Sequence, residues 1–510
     1  MDKKAIIDQL QQRKADYKDD EQAQNLFEAL SLITSAFSEY IRFLFELIQN
    51  ADDSSAYEVE IHTTKDYLVI SHDGKEFDEA DVYGICNVGA GTKKANSNAI
   101  GYKGIGFKSV FGKSNFVAIF SNGYQFKFDG NFKHKTHPVT PWQIIPQWIE
   151  RTELPKLISD YLNNNQTKVC TVIRLDLTPE FLKDLEELLN STQILLFLRK
   201  LKQVSVTGLL ELLIKKLEIN SGNYELVKNE TEISNWIVKT FKEKIDNEVL
   251  LKIKNDTNVP PKVKLAEFYE ISFAAKVDKG SFIPLSKSES LIFTYLPTKV
   301  GYEFPFIINS NFIADTSREL LFADNAWNVW LMKMAGTKLV EWMAELNESE
   351  YRNQILNLLP KRADSRSDKL TRSLFDSLDE AVNQISFVPT EGNVLKKPLE
   401  LIIDKTKLSN LIATESIVEF VNGRDGGQVQ INSFVNPNLD KVERLSEYGA
   451  SKFDKKDLET FFLSSYFTER HSLDDNFKLI SFFYEQADLD KNWNEKIEKL
   501  NFIYSEPIVS

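Results

Sequence analysis

Near its N-terminus the chain reads Glu46-Leu-Ile-Gln-Asn50-Ala-Asp-Asp53, in a region whose apolar residues recur at helical spacing. Spacings of four and three residues put Glu46, Asn50 and Asp53 on one helix face. A carboxylate suited to general-base chemistry, an amide oxygen suited to Mg²⁺ and a second carboxylate then point the same way. Alone, the pattern also describes a solvated helix face, because charged side chains are mostly exposed.

A glycine-rich segment follows, with six of the chain's 20 glycines between Gly84 and Gly106. It contains Asn87-Val-Gly-Ala-Gly-Thr92-Lys93 and Ile100-Gly101-Tyr-Lys103-Gly104-Ile-Gly106-Phe107-Lys-Ser-Val-Phe111. The apolar segment after it is expected to be helical, and the amides of the run and the N-terminus of that helix are suited to cradling phosphates. The glycine order matches neither the dinucleotide fingerprint nor the Walker loop. A surface turn is the simpler alternative for such a run.

These segments, with Asp73-Gly74 between them and Thr171 after them, resemble the successive motifs of the GHKL ATPases. That superfamily includes gyrase, MutL, histidine kinases and the ninety-kilodalton heat-shock chaperone. The runs that begin at Glu46 and Ile100 are most similar to its sacsin-like branch. The resemblance covers residues 20 to 178 and implies a Bergerat fold, ATP and Mg²⁺ as cofactors, and a mobile lid from about Gly84 to Gly106.

The resemblance also implies roles for individual residues. Glu46 would orient or deprotonate the attacking water, Asn50 would hold Mg²⁺, and Asp53 would support the adenine end. Thr171 would join the hydrogen bonds around adenine, with Cys170 in place of the usual preceding glycine. The full set of implied nucleotide-binding residues is Asn50, Asp53, Asp73, Gly74, Thr92, Lys93, Gly101, Lys103, Gly104, Gly106, Phe107 and Thr171.

The residue at the adenine-binding position has two candidates. A gap-free alignment of the family pattern puts His72 at the adenine-binding aspartate and Glu76 at the second glycine. Asp73 is the better chemical choice, because a carboxylate accepts a hydrogen bond from the adenine amine whatever the pH. Histidine must be neutral and in the right tautomer.

A second catalytic residue is predicted far from these motifs. Ser317-Arg318-Glu319 resembles the heat-shock chaperone's middle-domain loop, whose arginine reaches the ATP γ-phosphate. This resemblance makes Arg318 a catalytic candidate, because a guanidinium suits a phosphoryl group. The alternative is a capping box, in which Thr316 begins a helix and Glu319 returns the bond.

The predicted fold class is α+β and multidomain. The expected parts are an N-terminal Bergerat α/β sandwich ATPase domain (1–178), an α/β middle domain (179–325) and a C-terminal helical and mixed region (326–510). Strands are expected at Tyr57–Ile61, Tyr67–Ser71, Phe116–Phe128 and Val169–Leu177, and a helix at Pro179–Leu198. A faint likeness between residues 385–391 and 500–506 suggests that the last region is truncated.

Charge and composition restrict the partners. The net charge of −13 repels nucleic acid and anionic membrane, so a protein partner or client is favoured over nucleic acid. No apolar run approaches the ~18 residues of a membrane span. Two cysteines cannot build a disulfide framework, and a cytoplasmic location fits. His134 and His137 indicate a surface loop rather than a metal site.

Together these features predict a Mg²⁺-dependent ATPase that hydrolyses slowly and uses nucleotide to change conformation. Two biological roles are compatible with such an ATPase. One is the ATPase or sensor component of a bacterial defence or restriction complex, and the other is a chaperone-like clamp on polypeptides. The chain is also a possible homodimer. A histidine kinase and a MutL-like nuclease are disfavoured, because neither a phospho-acceptor helix nor a metal cluster is evident.

Overall fold

The computed structural model of the chain describes residues 2–17, 19–35, 41, 43–87, 106–135, 138–165, 167–190, 192–257, 259–315, 319–361, 368–425, 430–489 and 503. The chain divides into two compact units. The first comprises residues 1–279 and 283–331, and the second comprises residues 280–282 and 332–510.

The chain as far as residue 310 alternates helices and strands. Its α-helices are α1 (Lys3–Ala15), α2 (Asp20–Ser35), α3 (Phe43–Asp53), α4 (Glu79–Ile85), α5 (Lys156–Asn164), α6 (Pro179–Asn190), α7 (Asn247–Asn255) and α8 (Pro261–Lys264). Its strands are β1 (Glu58–Thr63), β2 (Tyr67–His72), β3 (Phe116–Ser121), β4 (Tyr124–Asp129), β5 (Gln147–Trp148), β6 (Val169–Arg174), β7 (Gln203–Gly208), β8 (Leu212–Asn220), β9 (Asn223–Lys228), β10 (Glu232–Lys244), β11 (Phe268–Asp278), β12 (Ser281–Phe282), β13 (Leu291–Thr294), β14 (Leu296–Gly301) and β15 (Ile307–Ser310). Short 3-10 turns lie at Gly106–Gly112, Trp142–Ile144, Arg151–Glu153 and Thr192–Leu195.

The N-terminal part of the sheet has two buried faces. In β2, β6 and β3 the register pairs Ile70 with Thr171 and Thr171 with Ile119, so these three residues share one face. Ile70 and Ile119 pack in one core with Leu44 and Ile48 of α3. The opposite face is also apolar and packs with α5; its core includes Val69, Ala118, Val172, Ile158 and Leu162. This layered arrangement confirms an α+β fold.

The sheet continues across the predicted domain boundary at residue 178. β1 pairs in parallel with β7, and the strand order runs β14-β13-β15-β11-β10-β9-β8-β7-β1-β2-β6-β3-β4-β5. Strands on both sides of the boundary therefore belong to one sheet. The division of this unit into ATPase and middle domains stays a prediction.

Three local predictions differ from the structure. Phe116–Phe128 is a hairpin rather than one strand, because Asn122 and Gly123 form its turn with φ of 48° and 73°. The helix predicted to reach Leu198 ends at Asn190 and is followed by a 3-10 turn. The apolar segment after the glycine run forms the 3-10 turn Gly106–Gly112.

Residues beyond 325 are mostly helical. The α-helices are α9 (Ala326–Glu345), α10 (Lys369–Gln384), α11 (Thr414–Asp425), α12 (Leu458–Phe462), α13 (Ser465–Thr468) and α14 (Leu473–Leu489). The strands are β16 (Val388–Pro389), β17 (Leu395–Lys396), β18 (Leu401–Asp404), β19 (Ser433–Phe434) and β20 (Ser451–Phe453). Further 3-10 turns lie at Leu346–Glu348, Arg352–Leu358, Pro398–Glu400, Leu408–Asn410 and Val442–Tyr448. Phe461, Phe462 and Phe467 are buried together in one apolar core of this region.

Candidate nucleotide site

Helix α3 carries the first predicted motif and is buried on most of its surface. Glu46 is only 7% exposed, whereas Asn50 and Asp53 are half-buried. The apolar residues of the helix pack on the sheet face that carries Thr171. A carboxylate this deeply buried is not the solvated-face residue of the simpler interpretation.

The glycine-rich motif meets α3 at Glu46. A Cβ atom added at Gly106 would lie 2.1 Å from Glu46 Oε2 and 3.1 Å from its Cδ. The backbone of residue 106 therefore approaches the carboxylate closer than any side chain at that position allows. Phe107 follows at once and packs edge-to-face on Phe111, 5.7 Å between ring centroids. Two motifs 60 residues apart in the sequence thus meet at one carboxylate.

Lys108 is a buried residue that the sequence analysis missed. Its ammonium donates to the carbonyl oxygens of Ile85 (2.5 Å) and Gln143 (2.8 Å) and lies 5.3 and 5.1 Å from the ring centroids of Phe111 and Phe128. Burial lowers the pKa of Lys108 to about 7. Ile85 lies at the start of the predicted lid and Lys108 lies two residues after its end, so this hydrogen bond joins the two ends of the segment. The sequence feature that could have identified Lys108 is its position directly after Gly104-Ile-Gly106-Phe107.

His72 and Asp73 occupy different surroundings at the end of β2. Nδ1 of His72 accepts the N–H of Gly74 (3.2 Å), and burial lowers its pKa to about 4. The ring is therefore neutral at pH 7 and, because Nδ1 accepts a hydrogen bond, its proton is on Nε2. Asp73 Oδ1 accepts the N–H groups of Tyr57 and Glu58 at 2.8 and 3.0 Å. The assignment of adenine binding to Asp73 stays a prediction.

Gly74 fits closely against the end of α3. A Cβ there would lie 2.4 Å from Ser54 Oγ and 2.9 Å from the Ser54 carbonyl oxygen. The N–H of Lys75 donates to that same carbonyl (2.7 Å). The turn after β2 is thereby fixed to the residue that follows α3, which brings the second predicted motif beside the first.

Thr171 and Cys170 are neighbours on β6 and face opposite sides of the sheet. Thr171 is buried in the middle of β6, on the sheet face that packs against α3. Cys170 points to the opposite face, where it is buried as a free thiol, and burial raises its pKa to about 11. The Cys170 side chain, which stands where the GHKL pattern has a glycine, is therefore accommodated in the core that includes Val69 and Val172.

Several predicted site residues lie outside the described part of the chain: Thr92, Lys93, Gly101, Lys103, Gly104 and Arg318. The ends of the loop that carries Arg318 are described. Asp315 Oδ1 accepts the N–H of Glu319 (2.9 Å), and Ala314 forms a bridge with Leu321. Glu319 and Leu320 are not helical, and α9 begins only at Ala326. The capping-box helix start is therefore wrong here, because Asp315 satisfies the amide that Thr316 was expected to cap.

A cavity of about 860 Å³ lies at the end of β2 opposite His72, beside the end of the Gly106–Gly112 turn. It is lined by residues including Tyr67, Lys113, Arg174 and Asp176. Tyr67 pairs with Arg174 at one end of β2, whereas His72 pairs with Val169 at the other.

Within the described ranges, no cluster of three or more His, Cys, Asp or Glu side chains is arranged to hold a metal. Likewise, none of the described helices combines the length and apolarity needed to cross a membrane.

Comparison with known proteins supports the sacsin-like character of the chain. Residues 23–212 match the Sacsin domain family, a range that includes Glu46, Gly106 and Thr171. The protein NO VEIN of Arabidopsis thaliana is 28% identical over 312 residues, which cover 58% of this chain. The match spans only 11% of the length of that relative.

Proposed function

We propose that the chain binds ATP with Mg²⁺ beside α3, in a Bergerat-type site, and hydrolyses it slowly. The observation that carries the proposal is the contact between Gly106 and the buried Glu46 carboxylate, because it joins the base motif to the phosphate-cradle motif. The match of residues 23–212 to the Sacsin domain is consistent with it.

The chain's own groups suit these cofactors. The half-buried Asn50 lies one helical turn from Glu46 and offers an amide oxygen for Mg²⁺, whose bound charge would neutralise the phosphates. The position of Gly106 has no room for a side chain beside Glu46, and we propose that the glycine-rich motif before it supplies the backbone amides of a phosphate cradle. We propose that Glu46 orients a water or takes its proton, and its burial would keep bulk water from competing. Thr171 and Asp73 are proposed to hold the adenine, and Arg318 to stabilise the transferred phosphoryl group.

The biological output we propose is the ATPase or sensor component of a bacterial defence or restriction complex, as the resemblance implies. The alternative is a chaperone-like clamp, which the net charge of −13 favours because it opposes nucleic-acid binding. DNA affinity that falls steeply from low to moderate salt supports the first. Suppression of a model protein's aggregation supports the second.

The enzymatic proposal is tested with Glu46→Ala in the full chain. Loss of a general base typically lowers turnover by ~100- to 10,000-fold, while ATP affinity measured by calorimetry stays nearly unchanged. Glu180→Ala is the control, because Glu180 is an exposed carboxylate in the first turn of α6. Normal turnover by the Glu46 variant would show that the motif assignment is wrong.

A further inference from the structure

The last turn of α3 holds a distant segment of the chain. Asp52, only 3% exposed, accepts the backbone N–H groups of Arg199 (3.1 Å), Lys200 (2.7 Å) and Leu201 (2.8 Å). Bonds from amides to a buried carboxylate are strong, and breaking them leaves a charge unsatisfied. The segment before β7 must therefore follow any movement of the end of α3.

Lys216 of β8 holds the same segment from its carbonyl side. It is 5% exposed and donates to the carbonyl oxygens of Leu195 (2.5 Å) and Leu198 (2.6 Å). Burial lowers the pKa of Lys216 to about 8, and the negative charge of Asp52 opposes that shift. Two buried charges thus fix residues 195–201 in one conformation, so that displacement is transmitted rather than absorbed.

Arg199 connects this segment to the far end of the sheet. Its guanidinium lies 5.1 Å from the ring centroid of Tyr295, donates to the Tyr295 hydroxyl (3.1 Å) and is 3.9 Å from the carboxylate of Glu270 on β11. The Arg199 side chain is 35% exposed, so it can move without disrupting a core. The contact therefore joins two elements without locking them.

Tyr295 itself is in an unusual conformation. It links β13 to β14 with φ of 68°, although it is only 8% exposed, and its N–H donates to the buried Asn309 side chain (2.6 Å). A bulky residue in the left-handed region is strained, and such strain is often part of a conformational mechanism. The negative charges of Glu270 and Asp53, with burial as the largest cause, raise the pKa of Tyr295 to about 12.

We propose that Arg199 and Tyr295 form a relay that couples the position of α3 to the β13–β14 strand pair. The coupling follows from the contacts above, and it rests on the proposed function only for what drives it, ATP bound beside α3. The relay leads toward the loop of Arg318. Lys299 of β14 donates its N–H to the Glu319 carbonyl (2.8 Å), and its ammonium lies 3.3 Å from the Glu319 carboxylate. Both residues of the relay are positioning residues, not catalytic ones.

The relay is tested first without nucleotide, by hydrogen exchange of the full chain in residues 291–301. Asp52→Asn weakens the acceptor on α3 and should speed exchange there by about threefold or more, on the scale of local opening. In an Arg199→Met background the same change should add nothing, because the connection is already cut. If the two substitutions multiply their separate effects on the exchange rate of residues 291–301, the relay is wrong. If Asp52→Asn does not fold, Asp52→Glu perturbs the same three amides while keeping the charge.

A second arm adds a non-hydrolysable ATP analogue with Mg²⁺. Exchange in residues 291–301 should slow in the wild type and in the control Arg470→Met, which removes an arginine–glutamate pair (2.7 Å) within the second unit. Arg199→Met and Tyr295→Phe should lose that protection while analogue affinity changes less than about threefold, because neither side chain belongs to the proposed ATP site. Protection that persists in both variants would refute the relay. Absence of analogue binding to the wild type would instead refute the proposed function, and the nucleotide-free arm would still decide the relay.

Discussion

Replacement of Gly106 by alanine separates catalysis from stability at the proposed site. The new Cβ would lie 2.1 Å from Glu46 Oε2, and ordinary contact begins near 3.4 Å, so the carboxylate must retreat by about 1.3 Å. The blocking atom is the far end of a flexible side chain, so the backbone need not move. We therefore expect the free energy of unfolding to change by less than about 1 kcal/mol.

Turnover should respond much more strongly. A displacement of about 1 Å of a catalytic group costs up to ~100-fold in rate, equivalent to about 2.7 kcal/mol in the barrier. The assay is steady-state ATP hydrolysis by the full chain, with urea unfolding measured in parallel. Gly392→Ala is the matched control, because the nearest atom to its added Cβ is Thr390 Oγ1 at 3.9 Å.

A second substitution sharpens the test. Glu46→Asp in the Gly106→Ala background withdraws the carboxylate by about one carbon–carbon bond, ~1.5 Å, which is close to the required retreat. Because the clash is then already relieved, Gly106→Ala should lower turnover much less in the Glu46→Asp background than in the wild type, although Glu46→Asp alone should be slower than wild type. Wild-type turnover in Gly106→Ala would refute the contact as a catalytic feature. A large loss of stability would show that the clash falls on the backbone instead.

Three further predictions follow from the same contacts. Lys108 has a folded-state pKa of about 7 against 10.5 when unfolded, so the unfolded chain binds more protons between those values and stability rises with pH across that window. Lys108→Met should reduce the slope, by up to about 1.4 kcal/mol per pH unit, in urea unfolding at several pH values. Gly74→Ala should cost about 1–3 kcal/mol, because its Cβ meets the Ser54 carbonyl at 2.9 Å, and thermal unfolding against Gly392→Ala measures it. Asp73→Asn should weaken ATP binding in calorimetry more than His72→Ala does; the reverse order would favour the gap-free alignment.

Local pattern predicted the elements that hold the proposed site. The helical spacing of Glu46, Asn50 and Asp53 and the apolar strands at Tyr67–Ser71 and Val169–Leu177 are properties of neighbouring residues, and the structure has α3, β2 and β6 there. Such elements follow from backbone geometry and from which side chains face water. The order of the motifs also indicated the sacsin-like class before any contact was known, because each motif is contiguous in sequence.

Contacts between distant residues were decided only by the tertiary structure. Nothing adjacent to Asp52 indicates that it accepts three amides almost 150 positions away, whereas its neighbour Asp53 fitted the familiar spacing. Lys108 looks like a solvated cation until two carbonyl groups from other elements surround it. The parallel pairing of β1 with β7 likewise joins parts of the chain that sequence analysis divided. Such groups are buried only where the fold supplies partners that offset the cost of leaving water, and those partners come from across the chain.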